Sequence, residues 1–374
     1  LSAKHIAEAI TASSDLNATA EQLVNDALEA GSDDNLTIQI ARIDNLPNQQ
    51  VDEVQQQVYQ LAPAPQLAAR MEFDGYIILR EIYISSRSHV FLAEDIESNE
   101  KVVIKTPSAE MRNNQAYLES FLMEEWIAKR VNNAHVLKAI EPKRQRNFLY
   151  LVTEYIEGQT LTQWMVDNPK PSIEQVRPII EQIAKGLQAF HRQEMVHQDL
   201  RPNNIMIDKS GTVKIIDFGA TKVAGISDLV EFNEGILGTA QFTAPEYFLG
   251  EVGSAQSDLF SLGVIAYKML SGNLPYGNAI SRITNRRAQG RLSYTPLQSD
   301  EHAIPDWIDY AISKATHLDP IKRYAEVSEF IYELKQPSKQ YLRKTKPPLM
   351  ERNPVLFWQC VCIFLLSVII YQNN

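Results

Sequence analysis

From about Met71 onward the apolar positions change their period along the chain. Short runs come first: Tyr76–Leu79, Val90–Ala93, Val102–Lys105 and Leu149–Thr153 are of strand length and rich in β-branched and aromatic residues. Longer stretches around 173–192 and 257–271 repeat their apolar positions at helical spacing. Strands gathered first and helices later predict an α+β domain with two segregated lobes over 71–336. Upstream, Thr19 with Gln22 has the form of a capping box. Leu23, Val24, Ala27 and Leu28 then recur at helical spacing, and Gly31 predicts the stop. Leu36–Ile43 alternates as a half-buried strand would. Residues 1–46 therefore predict helix, helix, strand, too little to enclose a core alone. Residues 47–70, rich in Gln, Ala and Pro, predict a linker.

The C-terminal end has a different pattern. Residues 337–353 are basic, with Arg343, Lys344, Lys346 and Arg352, whereas Val355–Tyr371 carries no charge and is interrupted only by Gln359 and Ser367. A soluble helix would show a polar face, so 354–372 is expected to be a transmembrane helix, at the short end of what a bilayer needs. The basic flank lies on its N-terminal side. By the positive-inside rule the expectation is a single-pass protein of the cell membrane, with everything upstream in the cytoplasm. The same basic segment is a topology signal or a contact for anionic lipid, and both readings stand.

Composition narrows the class. The 374 residues are 44% hydrophobic and 22% charged, as in a globular chain of two or three units. A net charge of −10 argues against nucleic acid as a partner. The two cysteines, Cys360 and Cys362, point to different sides of a helix, so neither a disulfide framework nor a metal site is expected. The chain opens at Leu1 without a basic stretch and apolar core; no secretory leader is expected, and a fragment is.

The candidate chemistry lies in four motifs. Residues 197–204 read His-Gln-Asp-Leu-Arg-Pro-Asn-Asn and 217–219 read Asp-Phe-Gly; Ala244-Pro245-Glu246 and a run from Asp258 to Gly263 follow. In this order, after a Val-Val-Ile-Lys strand, the chain resembles a eukaryotic-type bacterial Ser/Thr protein kinase over about 71–336. The resemblance implies a two-lobed fold with a small β-rich lobe and a larger helical one. It also implies ATP, Mg²⁺ with Mn²⁺ as an alternative, and a protein substrate with Ser or Thr. Phosphoryl transfer asks a protein for positioning and charge neutralisation rather than covalent work. Lys105 matches the lysine that holds the α- and β-phosphates. Its partner is a glutamate on the next helix. Glu124 shares a face with Phe121, Ile127 and Ala128, whereas Glu125 has Lys129 at i+4 as a surface partner, so Glu124 is expected. Asp199 matches the carboxylate that takes or orients the substrate hydroxyl proton, and Asn204 and Asp217 match the Mg²⁺ ligands, hard oxygens for a hard cation. Arg201 stands where Ser/Thr kinases usually have lysine.

The resemblance also makes Thr153 a small gatekeeper, with Glu154 and Ile156 meeting adenine through backbone groups and Val90 closing over it. Glu246 with Arg323 resembles a buried ion pair, Asp258 the acid that ties down the catalytic loop, and Thr239 a threonine contacting the catalytic aspartate. His197 is expected to be a packed structural histidine.

Three departures matter. The glycine-rich loop lacks its glycines: the positions fall on Tyr83, Ser85 and Ser88. Serine hydroxyls are expected to donate to phosphate instead, at the expense of a looser lid. An active enzyme is expected because Lys105, Glu124, Asp199, Asn204 and Asp217 are all present; the alternative is a pseudokinase, a nucleotide-binding membrane scaffold. Gln198 replaces the arginine that usually receives an activation-loop phosphate, so the acidic loop of 220–237 is expected to work without that switch. Finally, Leu23–Leu28 with Gly31–Ile38 resembles the last helix and strand of PP2C-type phosphatases, which would make Asp34 a metal ligand. An Asx turn at Asp33–Asn35 explains the same residues locally. The resemblance implies a phosphatase–kinase fusion, or a phosphatase regulated by its kinase-like part.

Overall fold

The computed structural model describes residues 1–13, 15–32, 35–41, 61–141, 144–223, 240–297, 304–344 and 354–372. The chain divides into two units, Leu1–Gln56 and Gln57–Asn374.

In the first unit α1 (Ala3–Ala12) and α2 (Leu16–Glu29) are joined by His5 Nε2 to Asp26 Oδ2 at 2.8 Å. The expected capping box is not the start of α2. Asp15 is the cap, accepting from the amides of Asn17 and Ala18, while Thr19 lies buried inside the helix and donates to the Asp15 carbonyl. A carboxylate one turn upstream offers two amides an acceptor, which displaces the weaker threonine cap. The stop is where the sequence predicts it: Gly31 has φ +89°, its amide bonds Leu28 O, and Ser32 N bonds Ala27 O, the Schellman pattern. The strand at 36–43 does not form over its described part. Leu36, Ile38 and Ile40 are half-buried and alternate with exposed neighbours, but a strand also needs a ladder partner, and the described residues of this unit offer none. Asp34 lies outside the described residues, so its expected role has no structural counterpart here.

The second unit opens with residues placed in the linker by sequence. Leu61 to Arg70 instead pack on the domain: β1 (Ala62–Pro63) pairs in parallel with β6 (Phe148–Leu149), Ala64 and Leu67 are buried, and Arg112 donates to Ala64 O at 2.7 Å. Small side chains hid this contact, because Ala64 buries almost no area of its own.

The small lobe is an antiparallel sheet in the order β2 (Glu72–Phe73), β3 (Tyr76–Ile84), β4 (Ser88–Asp95), β5 (Lys101–Pro107), β7 (Leu151–Glu154). Tyr76, Ile78, Phe91, Val102, Ile104 and Val152 form its inner face. The alternation of β5 then requires Val103 and Lys105 to face the other way, into the cleft. One helix, α3 (Gln115–Arg130), packs beside this sheet. The hinge leads through β8 (Gly158–Thr160) to α4 (Leu161–Asp167) and the larger lobe, where β9 (Met195–Val196) pairs with residues 222–223. A Cβ on Gly158 would sit 2.0 Å from Ile207 O, so only glycine lets the chain pass this close to β10 (Ile205–Asp208), with which β8 and β11 (Val213–Ile215) form a sheet. The lobe's core is α5 (Ile173–His191) against α6 (Ala255–Ser271), an almost wholly buried helix.

The chain is helical again over Pro354–Gln372. Among the described residues, however, no helix is long and apolar enough to cross a membrane, so the expected spanning helix has no structural counterpart. The side chains of Cys362 and of 366–372 are outside the description; those of Val355, Trp358, Ile363, Phe364 and Leu365 are more than half exposed.

Candidate active site

Lys105 enters the cleft from β5, directly opposite Val90 on β4 and Leu151 on β7. On α3 the residues Tyr117, Ser120, Phe121 and Glu124 share one face. Glu124 is buried there and accepts both of its bonds from Lys105 Nζ, at 2.8 and 2.7 Å. Burial opposes the Lys105 charge, but Glu124 and Asp217 outweigh it and hold the ammonium above its ordinary range. Glu125, the other candidate, is also buried rather than on the surface. Besides Lys129 at 3.0 Å it holds Arg146 at 2.9 Å.

Asp217 lies 3.8 Å from Lys105 Nζ and accepts from Gly219 N at 3.1 Å. Burial raises its pKa, yet Lys105 and the Gly219 amide prevail and keep it below the usual carboxylate range. Phe218 turns inward against Phe190 and His197. Ser120, which the motifs did not single out, donates to Gly219 O at 3.1 Å and ties α3 to this turn. Its signal was helical spacing, four residues before Glu124. Val103 was missed likewise and is recovered by the strand period from Lys105.

The catalytic loop is held by Asp258, which accepts from the amides of His197 and Gln198 and from His191 Nε2, each at 2.9 Å. Gln198 can then sit at φ +68°. His197 is buried in edge-to-face contact with Phe190 and Phe218, the structural place expected for it. Asn204 Nδ2 donates to the Asp199 carbonyl and carboxylate, both at 2.9 Å, and Arg201 Nε reaches Asp199 Oδ2 at 3.2 Å. Burial and the negative Asp217 raise Asp199 above its ordinary range, and Arg201 counters them. Asn204 Oδ1 and the second Asp217 oxygen are hard acceptors suited to Mg²⁺.

The lid differs from the expectation. Ser85 does not offer its hydroxyl outward. It donates to Ser88 O at 3.0 Å and accepts from the amides of Arg87 and Ser88 at 3.3 and 3.0 Å, closing its own hairpin turn. The Ser88 side chain is buried, and burial pushes the phenol of Tyr117 up to about 12. Buried Ser108 pins the turn from below, donating to Ser86 O at 2.6 Å and through its amide to Arg87 O at 2.8 Å. Tyr83 is exposed. None of Tyr83, Ser85 and Ser88 takes a positive φ, so the turn is closed by side-chain bonds rather than by glycine geometry.

At the hinge Thr153 and Ile156 are buried, and the Glu154 carboxylate is held by Lys214 Nζ at 2.6 and 2.7 Å and by Lys138 N at 2.9 Å. Only the backbone of Glu154 is left to face a nucleotide. Glu246 and Arg323 form the expected buried pair, with two bonds of 2.7 Å, and Ser257 adds a third contact to the glutamate. Thr239 and most of the 220–237 loop lie outside the described residues.

Comparison with known proteins agrees with this geometry. The protein kinase domain model matches residues 76–334. The chain is 28% identical over 261 residues to the Ser/Thr protein kinase PrkC of Bacillus subtilis, covering 70% of this chain and 40% of that protein. It is 27% identical over 252 residues to PknL of Mycobacterium bovis, covering 67% and 62% respectively. It thus spans about two fifths of the length of PrkC. Among solved structures, the Mycobacterium tuberculosis PknI kinase domain superposes with a TM-score of 0.53 at 20% identity, covering 72% of this chain and 99% of that one, a likeness of fold. With a family model matched from β3 to the end of the helical lobe, the chain belongs to the protein kinase family.

Proposed function

We propose that this chain is a catalytically active kinase that transfers the γ-phosphoryl group of ATP to Ser or Thr hydroxyls of protein substrates. The observation that carries the reading is the assembled cleft: Lys105 held between Glu124 and Asp217, with Asp199 bonded to Asn204 in the same site. In this reading Lys105 holds the α- and β-phosphates and Glu124 fixes the lysine. Asp199 orients the substrate hydroxyl and receives its proton as the new P–O bond forms and ADP leaves. Asn204 and Asp217 would hold Mg²⁺, which would supply positive charge against the phosphates. Adenine meets the backbone of Glu154 and Ile156 under Val90.

The test is transfer of labelled γ-phosphate by the full chain to a generic acceptor protein, with Mg²⁺ and then Mn²⁺. Incorporation should vanish in Lys105→Ala and Asp217→Ala. One observation favours the second reading, a nucleotide-binding scaffold: the Ser85 hydroxyl is turned into its own hairpin and gives phosphate no donor. No incorporation, with ATP still raising Tm, would select it.

We also propose attachment to the cell membrane through the C-terminal helix, with the kinase domain in the cytoplasm. The uncharged run 355–371 and the exposure of Val355, Trp358, Ile363, Phe364 and Leu365 support it. Alkaline extraction of membranes should leave the full chain in the pellet and release a version ending at Asn353; recovery of the full chain in the supernatant would refute it. Fusion to a PP2C-type phosphatase rests on the resemblance of residues 1–46 and is tested by the upstream coding sequence.

A further inference from the structure

Beside the catalytic loop lies a groove of about 460 Å³ that the nucleotide chemistry does not use. It begins at Arg201, two residues beyond Asp199, and runs between α4 and the C-terminal end of α6. Met165, Val166, Phe242 and Met269 supply its apolar surface, and Val166 is 67% exposed. Among the described residues its charged lining consists of Arg201 and Lys268, with no Asp or Glu. Lys268 Nζ stands 5.3 Å from the centroid of the Phe242 ring, and no carboxylate among the described residues pairs with it. A cation against an aromatic face at the wall of an open groove keeps its charge available to an incoming group.

We propose that this groove receives the substrate chain next to its acceptor hydroxyl and selects an acidic side chain there. The inference rests on the kinase reading above and names its substrate class. Two like charges and an apolar floor define what fits: an Asp or Glu whose carboxylate reaches Lys268 or the Arg201 guanidinium while its stem lies on the methionines. A Lys or Arg at the same place would face Lys268, which no carboxylate among the described residues pairs, beside an Arg201 whose charge Asp199 offsets only in part at 3.2 Å, so the site discriminates by repulsion as well as attraction. An extended chain rises ~3.3 Å per residue, so a groove starting at the catalytic loop reads side chains within about three residues of the acceptor.

The experiment uses the full chain and three synthetic peptides with one Ser, identical except that the flanking positions are Gln, Glu or Lys. The wild type should show a kcat/KM at least about tenfold higher for the Glu peptide than for the Lys peptide, as expected when one peptide is attracted by the two cations and the other repelled. The Glu-to-Lys ratio, taken within each variant so that a general loss of activity cancels, should fall toward unity in Lys268→Gln and invert in Lys268→Glu. Equal rates on the Glu and Lys peptides, or an unchanged ratio in Lys268→Glu, would overturn the proposal. So would phosphorylation of the generic acceptor protein with none of the three peptides accepted, a result that leaves the kinase reading intact. Failure of both peptides and acceptor protein would remove the kinase reading, and this one with it.

Discussion

Asp199 is a carboxylate set between opposing charges. Burial and Asp217 push its pKa up, and Arg201 at 3.2 Å pulls it down. In its proposed role as proton acceptor it would work only when ionised, so activity should be lost as pH falls through its pKa. The acid limb of kcat/KM should therefore lie above the ordinary carboxylate range. Replacing Arg201 with Ala removes the lowering charge and should move that limb to higher pH, whereas Arg201→Lys should leave it nearly in place. Asp199→Asn should cost on the order of 10²–10⁴-fold at every pH. Rates across a constant-ionic-strength buffer series check all three, and an unshifted limb in Arg201→Ala would refute the assignment. That Lys105, Asp199, Asn204 and Asp217 come together in one cleft was legible in the sequence, because the motifs that carry them follow one another in a fixed order. The choice of Glu124 over Glu125 was legible from one helical face. What α3 adds at Tyr117 and Ser120 was not, because a hydroxyl on a helix has many local partners and only the fold selects one.

At the scale of elements, the lid hairpin is the part that sequence reasoning placed correctly and understood least. The missing glycines were plain; the direction of the serine hydroxyls was not, since an outward donor and an inward turn cap use the same residue. The inward state satisfies three groups of the turn at once. The amides of Arg87 and Ser88 are then occupied rather than offered to phosphate. Ser85→Gly should release them, and KM for ATP should fall severalfold with kcat changed less. An unchanged KM would mean that the hairpin lies too far from the phosphates to matter. The same limit hid β1, where small side chains gave no signal, and created the strand expected at 36–43, over whose described part alternation survives without a ladder partner.

Across the whole molecule the two lobes are joined by more than the hinge chain. Ser120 bonds Gly219, and Glu154 on β7 is clasped by Lys214 on β11. The order of strands and helices gave the lobes themselves, because layer segregation shows in the periodicity alone. The ties between them were invisible, since Glu154 and Lys214 are 60 residues apart and neither belongs to a motif. This clasp bears on turnover. In the proposed kinase ADP would leave as the lobes part, and product release limits the rate of many enzymes. A pair with side chains 29% and 17% exposed is open to screening by salt. It contributes at most ~1 kcal/mol, so Lys214→Met should raise the rate of ADP release by no more than about fivefold. In the wild type that rate should climb with ionic strength, and in the variant it should be flat. The cadence of the enzyme would then be set by the salt of its surroundings.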